Sequence, residues 1–214
     1  MKPQLVIFDC DGVLVDSEPA ANEILSGNLR KYGLDMSPQQ CLDQLVGGKM
    51  SDVKDRVEQM GANLPADWTD EIYREIYARM KAGIPLIEGI VEVLDALDAA
   101  QIPYCVASNG SEEKMGITLG QNNLLSRFEG ATFSAHTVGL SKPHPGLFLH
   151  AAKTLDVLPK NCVVVEDSLT GVTAARRAIM PCFGFAEHND GAKLAAEKAT
   201  VFHKMSELSG LLEL

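Results

Sequence analysis

The sequence predicts an α/β fold: a parallel sheet with crossover helices, interrupted once by an all-helical insertion. Three observations predict it. Short, almost continuously apolar runs recur along the chain, segments of helical period separate them, and one stretch near the start carries helix patterns alone. The apolar runs at residues 4–8, 103–107, 131–134, 162–166 and 181–185 read as strands covered on both faces, as parallel strands are, and residues 200–202 read as a last short strand. Between them, Ile90, Val93, Leu94 and Leu97 share one helical face, as do Phe148, Ala151, Ala152 and Leu155. The insertion spans residues 17–82 and leaves residues 1–16 and 83–214 as the core. Within it, Ser17 is expected to cap a helix with Pro19 in its first turn, with Ile24, Leu25 and Leu29 on one face and Gly33 at its end. Ser37-Pro38 opens a second helix. After Gly47-Gly48, Ser51 is expected to cap a third that ends at Gly61, and Trp68, Ile72, Ile76 and Met80 mark the buried face of a fourth.

The chain has 214 residues, 46% of them hydrophobic and 22% charged, which suffices for a buried core without disulfides or a structural metal. Its apolar runs are too short to span a bilayer. The first residues lead straight into a strand pattern rather than a signal peptide, so the expected compartment is the cytoplasm. The five cysteines are odd in number and widely spaced, which suits thiols packed in a core, and the five histidines show no metal-ligand spacing. A net charge of −10 without a basic stripe excludes nucleic acid and anionic lipid as expected partners. An anionic substrate then needs local positive charge, from a metal ion and a few lysines.

Asp9-Cys10-Asp11-Gly12 follows the first strand directly, placing two carboxylates at a strand's carboxyl end, where open α/β sheets keep their sites. In isolation Asp-Gly is turn chemistry. In this context, two carboxylates two residues apart are able to divide nucleophilic and acid–base work. Three later segments are equally two-sided. Ser108-Asn109-Gly110-Ser111 is either an ordinary strand-to-helix turn or a phosphate cradle at a helix start. Lys142 is a solvated lysine or a neutraliser of phosphoryl charge, and Glu166-Asp167 a capping pair or oxygen ligands for magnesium.

Taken together and in order, these segments resemble the motifs of the haloacid dehalogenase superfamily. Residues 9–17 resemble its first motif, Ser108-Asn109 its second, Lys142-Pro143, opening a Pro-initiated helix, its third, and Glu166-Asp167-Ser168 its fourth, with Gly171 and Ala174-Ala175 matching the helix that follows. The resemblance implies a Rossmann-like parallel-sheet core with an inserted α-helical cap domain. It also implies a Mg²⁺-dependent phosphatase acting on a small phosphorylated metabolite. By the same resemblance Asp9 is nucleophile and metal ligand. Asp11 gives its main-chain carbonyl to the metal and its side chain to acid–base work, Lys142 neutralises charge, and Ser108 and Asn109 hold phosphate. Asp167 completes the metal ligands, with Glu166 either a further ligand or a neighbour that supports them.

Asp11 argues against the dehalogenases, whose halide leaves without a proton. Ala21 stands where β-phosphoglucomutases carry a cap-hinge histidine, so the phosphatase reading precedes the phosphomutase one. A catalytically silent metabolite-binding protein is a third reading, disfavoured because all four motifs are filled. Residues 108–128, with Lys114-Met115, Leu119-Gly120 and Asn123-Leu124-Leu125, are further similar to the bacterial 6-phosphogluconate phosphatase branch, a likeness either of helix packing within one subfamily or of substrate, then a sugar phosphate or phosphosugar acid. Lys49, in the Gly47-Gly48-Lys49 loop, is either solvated or a contact to a polar end of that substrate. The expected assembly is a monomer or weak homodimer.

Overall fold

The computed structural model describes residues 2–45 and 50–214. The chain divides into two compact units, Met1–Asp16 with Pro85–Leu214, and Ser17–Ile84.

The first unit is built on a six-stranded parallel sheet in the order β3-β2-β1-β4-β5-β6. Its strands are β1 (Leu5–Phe8), β2 (Tyr104–Ser108), β3 (Thr132–Ser134), β4 (Cys162–Glu166), β5 (Cys182–Phe185) and β6 (Thr200–Phe202). Every strand expected from the sequence is present. Four begin one residue late, at Leu5, Tyr104, Thr132 and Cys182; before two of these stand Pro103 and Pro181, which have no N–H to enter a ladder and pair through their carbonyls instead, accepting from Val6 N at 3.0 Å and Val164 N at 2.9 Å. Side chains alternate across the sheet: Leu5, Ile7, Cys105, Ala107, Cys162 and Val164 pack with Leu147, Phe148, Ala151, Val172 and Ala175 in one apolar layer. All four residues of β1 and all five of β4 are buried, which explains why the central strands read as unbroken apolar runs.

From β1 the chain builds outward through β2 to β3, then crosses back to β4 on the other side of β1. The order therefore reverses between β1 and β4, and the carboxyl ends of those two strands flank the crevice where such sheets bind ligands. The register pairs Phe8 with Val165, so Asp9 and Glu166 leave the sheet side by side.

Among the described residues the second unit contains four helices: α1 (Glu18–Lys31), α2 (Pro38–Leu45), α3 (Met50–Gln59) and α4 (Trp68–Lys81). The helices around the sheet follow as α5 (Ile90–Ala99), α6 (Glu112–Gly120), α7 (Ala135–Val138), α8 (Gly146–Thr154), α9 (Leu169–Arg177), α10 (Ala192–Ala196) and α11 (Leu208–Leu211). Two expected caps differ. Ser17 occupies the position before α1 but has helical backbone angles and makes no side-chain capping bond, which leaves Pro19 and Glu18 as the start signals. Ser51 lies inside α3, which already starts at Met50, and its hydroxyl bonds to Asp52 Oδ1 at 3.3 Å. Ser37, by contrast, caps α2 reciprocally with Gln40: Ser37 Oγ accepts from Gln40 N at 3.1 Å and Gln40 Oε1 from Ser37 N at 2.8 Å.

A partly buried polar network ties α1 to α4. Trp68 Nε1 donates to Asn28 Oδ1 at 2.7 Å, Asn28 Nδ2 donates to Glu71 Oε1 at 2.9 Å, and Tyr32 Oη donates to Glu71 Oε2 at 2.6 Å. Trp68 is 0% and Asn28 1% exposed, so Asn28→Ala leaves a buried indole N–H without an acceptor. That variant is expected to lose about 1–3 kcal/mol in urea denaturation. An unchanged midpoint would show that the network holds nothing together. Among the described residues no helix is long and apolar enough to cross a membrane, and all five cysteines are free, buried thiols.

Candidate active site

Leu5, Ile7 and Asp9 point to one face of the sheet, and so do Cys162, Val164 and Glu166 on the neighbouring strand. The alternation that buries the apolar residues thus delivers two carboxylates to the same face at the strands' carboxyl ends. Lys142 meets both. Its Nζ lies 2.7 Å from Asp9 Oδ1 and 2.6 Å from Glu166 Oε1, and 5.1 Å above the centre of the Phe148 ring. The lysine side chain is 2% and Glu166 0% exposed, so these are charges withdrawn from water and stabilised by each other.

The lysine is steered there by its main chain. Lys142 N donates to Asn109 Oδ1 at 2.9 Å and Asn109 Nδ2 donates to Lys142 O at 3.3 Å, clamping the peptide from both sides. The Lys142–Pro143 peptide is cis. Pro143 does not open the next helix as the sequence suggested, because α8 starts only at Gly146. Residues 141–144 instead close a turn, with His144 N donating to Ser141 O at 2.9 Å, and His144 Nδ1 accepts from Gly146 N at 3.0 Å.

Glu166 is fully engaged. Besides Lys142 on Oε1, its Oε2 accepts from Ser168 N at 3.0 Å and Ser168 Oγ at 2.8 Å, while Ser168 caps α9 by accepting from Gly171 N at 3.0 Å. A Cβ on Gly171 would collide with the Glu166 carboxylate, so only glycine admits this packing. Gly12 is constrained likewise: its φ is +74°, and a Cβ there would collide with Asp167 Oδ2.

Electrostatics follow from burial. Burial presses the Lys142 ammonium toward its neutral form, but the Asp9 and Glu166 carboxylates outweigh it and hold its pKa above the ordinary lysine range. Asp9 experiences the same competition with the opposite balance. Burial pushes its carboxyl up to about 7 against the pull of Lys142, with Glu166 and Asp11 adding to the rise. Between the two aspartates, burial pushes the Cys10 thiol well up, which makes it a packing residue rather than a nucleophile.

Asp11 has a partner the sequence reading did not assign to the site. Lys114 Nζ stands 2.7 Å from Asp11 Oδ1. The sequence marks Lys114 only as part of the stretch similar to the 6-phosphogluconate phosphatase branch, without a role, and a lysine near the start of a helix is ordinary. Ser108 is 2% exposed, and its Oγ accepts from Gly110 N at 2.9 Å. Asp9, Asp11, Ser108, Asn109, Glu166 and Asp167 occur at the carboxyl ends of β1, β2 and β4 or directly after them, Lys142 comes from the loop between α7 and α8, and Lys49 lies outside the described residues.

Asp9, Glu166 and Asp167 each offer a carboxylate oxygen within 4.8 Å of the others. Three carboxylates against the one Lys142 ammonium leave an excess of negative charge, which a divalent cation with oxygen ligands fits. Since both Glu166 oxygens already accept from protein donors, Asp9 and Asp167 are the better-placed ligands.

The family model for haloacid dehalogenase-like hydrolases matches residues 3–178. The chain is 32% identical over 210 residues to the 6-phosphogluconate phosphatase of Escherichia coli K12, covering 97% of this chain and 94% of that one. It is 32% identical over 175 residues to hexitol phosphatase A of the same organism, covering 80% and 78%. A crystal structure of a HAD family hydrolase from Deinococcus radiodurans R1 with bound phosphate and sodium superposes with a TM-score of 0.85 at 30% identity, over 99% of this chain and 96% of that one. With four motifs gathered at one end of a parallel sheet and a family match over most of its length, the chain belongs to the haloacid dehalogenase-like hydrolases.

Proposed function

We propose that this hydrolase is a Mg²⁺-dependent phosphatase of small phosphorylated metabolites, a sugar phosphate or phosphosugar acid, with 6-phosphogluconate the first candidate. The observation that carries the reading is the buried Asp9–Lys142–Glu166 array with Asp11 two residues beyond Asp9. The names of the E. coli relatives supply the substrate class.

Asp9 attacks phosphorus, and the bond from phosphorus to the ester oxygen breaks as the aspartyl phosphate forms. Asp11 gives its proton to the departing oxygen. It then takes a proton from the water that attacks the aspartyl phosphate, releasing phosphate and restoring Asp9. Lys142 keeps Asp9 ionised and aimed, and its charge faces the phosphoryl oxygens. Glu166 holds Lys142 in place, Asn109 fixes the Lys142 main chain, and Ser108 with the backbone of its turn binds phosphate oxygen. Asp9, Asp167 and the Asp11 main-chain carbonyl would hold Mg²⁺, which supplies further positive charge against the phosphoryl group.

The test begins with p-nitrophenyl phosphate. Exhaustive chelation is expected to abolish its hydrolysis, Mg²⁺ to restore it, and Ca²⁺ to inhibit, since its longer bonds and higher coordination number disturb the attack geometry. Hydrolysis that survives chelation would exclude the metal. A panel of phosphorylated metabolites ranked by kcat/KM then identifies the substrate. Failure to release phosphate from any of them, metal present, would return the chain to the class of silent binding proteins.

A further inference from the structure

Lys114 lies outside the motifs that define the site, yet it supplies the ammonium paired with the second aspartate. The Lys114 and Asp11 side chains are 21% and 24% exposed, so the pair is sheltered from water on most sides. Local chemistry brings the lysine there. Ser111 caps α6, its Oγ accepting from Lys114 N at 3.1 Å, which sets Lys114 in the first turn of the helix. The turn before it is pinned twice, by Gly110 N donating to Ser108 Oγ at 2.9 Å and by Ser134 Oγ donating to Gly110 O at 2.7 Å. Gly110 leaves the path open: a Cβ on it would sit 3.4 Å from Lys114 Cδ, 3.2 Å from Ser108 Oγ and 3.7 Å from Asp11 Oδ2. A capped helix and a clamped turn converge on one ion pair.

We propose that Lys114 is a positioning residue for acid–base catalysis, holding the Asp11 carboxyl group in the orientation from which, protonated, it gives its proton to the leaving oxygen and, as the carboxylate so formed, takes a proton from the attacking water. The proposal rests on the phosphatase reading above. A carboxylate on a loop that must serve two successive proton transfers gains most from a fixed partner, because acid–base catalysis depends on geometry before anything else. The partner is set by α6 and the β2 turn, so its position does not depend on the Asp11 loop itself.

The experiment compares kcat/KM across aryl phosphates from p-nitrophenyl to phenyl phosphate, none of which carries a second charged group. In Lys114→Met the loss is expected to grow as the phenol becomes a poorer leaving group, reaching ~10- to 100-fold on phenyl phosphate and remaining small on p-nitrophenyl phosphate. A uniform loss across the series would overturn the proposal, since it would make Lys114 a phosphate-binding or folding residue. No loss anywhere would overturn it equally. Lys114→Gln replaces the Met variant should that one not fold. Asp11→Asn is measured in parallel. If its losses do not depend on the leaving group, the acid–base reading of Asp11 itself fails. If Asp11→Asn shows the dependence and Lys114→Met does not, the positioning role alone falls.

Discussion

Asp9→Asn is expected to remove turnover by a factor on the order of 10,000 or more, because an amide neither attacks phosphorus nor binds a divalent cation as a carboxylate does. The protein is expected to fold normally, with a melting temperature equal to or above that of the parent. The reason lies in the burial of Asp9, whose carboxyl is pushed up to about 7 by desolvation, so the ionised form is held at a cost that a neutral isostere avoids. Lys142 keeps Glu166 as its partner in that variant. Phosphate release and a thermal melt on one preparation make the check. Near-parental turnover would remove Asp9 as nucleophile, and a large fall in melting temperature would mean that its ion pair with Lys142 outweighs its desolvation.

Lys142→Met is expected to be costly in both respects. Glu166 is 0% exposed, and without the lysine it becomes a buried carboxylate left with the neutral Ser168 donors alone. Breaking such a pair costs about 3–5 kcal/mol, readable in urea denaturation, and turnover should fall with it because Asp9 loses the cation that keeps it ionised and aimed. The double variant Lys142→Met with Glu166→Gln separates the two effects: it should recover stability, as the orphaned charge is gone, without recovering turnover. A double variant no more stable than the single one would show that the loss does not come from the orphaned Glu166 charge but from what the ammonium itself does, including its place over the Phe148 ring.

The parts of the fold legible in the sequence were those whose signal is local. The strands were readable because both faces of the sheet are covered, which demands apolar runs, and their ends shifted by no more than one residue, at Pro103 and Pro181 because proline has no N–H to give. Helix faces such as Ile90, Val93, Leu94 and Leu97 were readable for the same reason, and all four are buried. Caps were less so. Ser17 and Ser51 have the right side chain for an N-cap, but that residue type fits several local hydrogen bonds equally well, and neighbouring turns decide which forms. Pro143 misled likewise: proline is common in a first helical turn, yet here the Asn109 clamp and the turn at residues 141–144 delay the helix to Gly146. Trp68 read only as core, and its bond to Asn28 depends on a partner 40 residues away.

By itself the sequence determined the order of strands and helices, the family, and the positions of Asp9, Asp11, Glu166 and Asp167 at strand ends, with Lys142 in an ordered motif, since each lies within a few residues of an apolar run or in such a motif. Which charge meets which was decided only by the tertiary structure. Lys142 reaches Asp9 across 133 positions of chain, Glu166 joins them because the β1–β4 register sets it beside Asp9, and Lys114 finds Asp11 from a different strand's turn. Glu166 was open in the sequence between metal ligand and supporting neighbour, and its bonds to Lys142 and Ser168 favour the support. The physical reason is range. Periodicity and turn chemistry act over a few residues and are written in the order of side chains, whereas a buried ion pair forms only where packing has already excluded water from both partners.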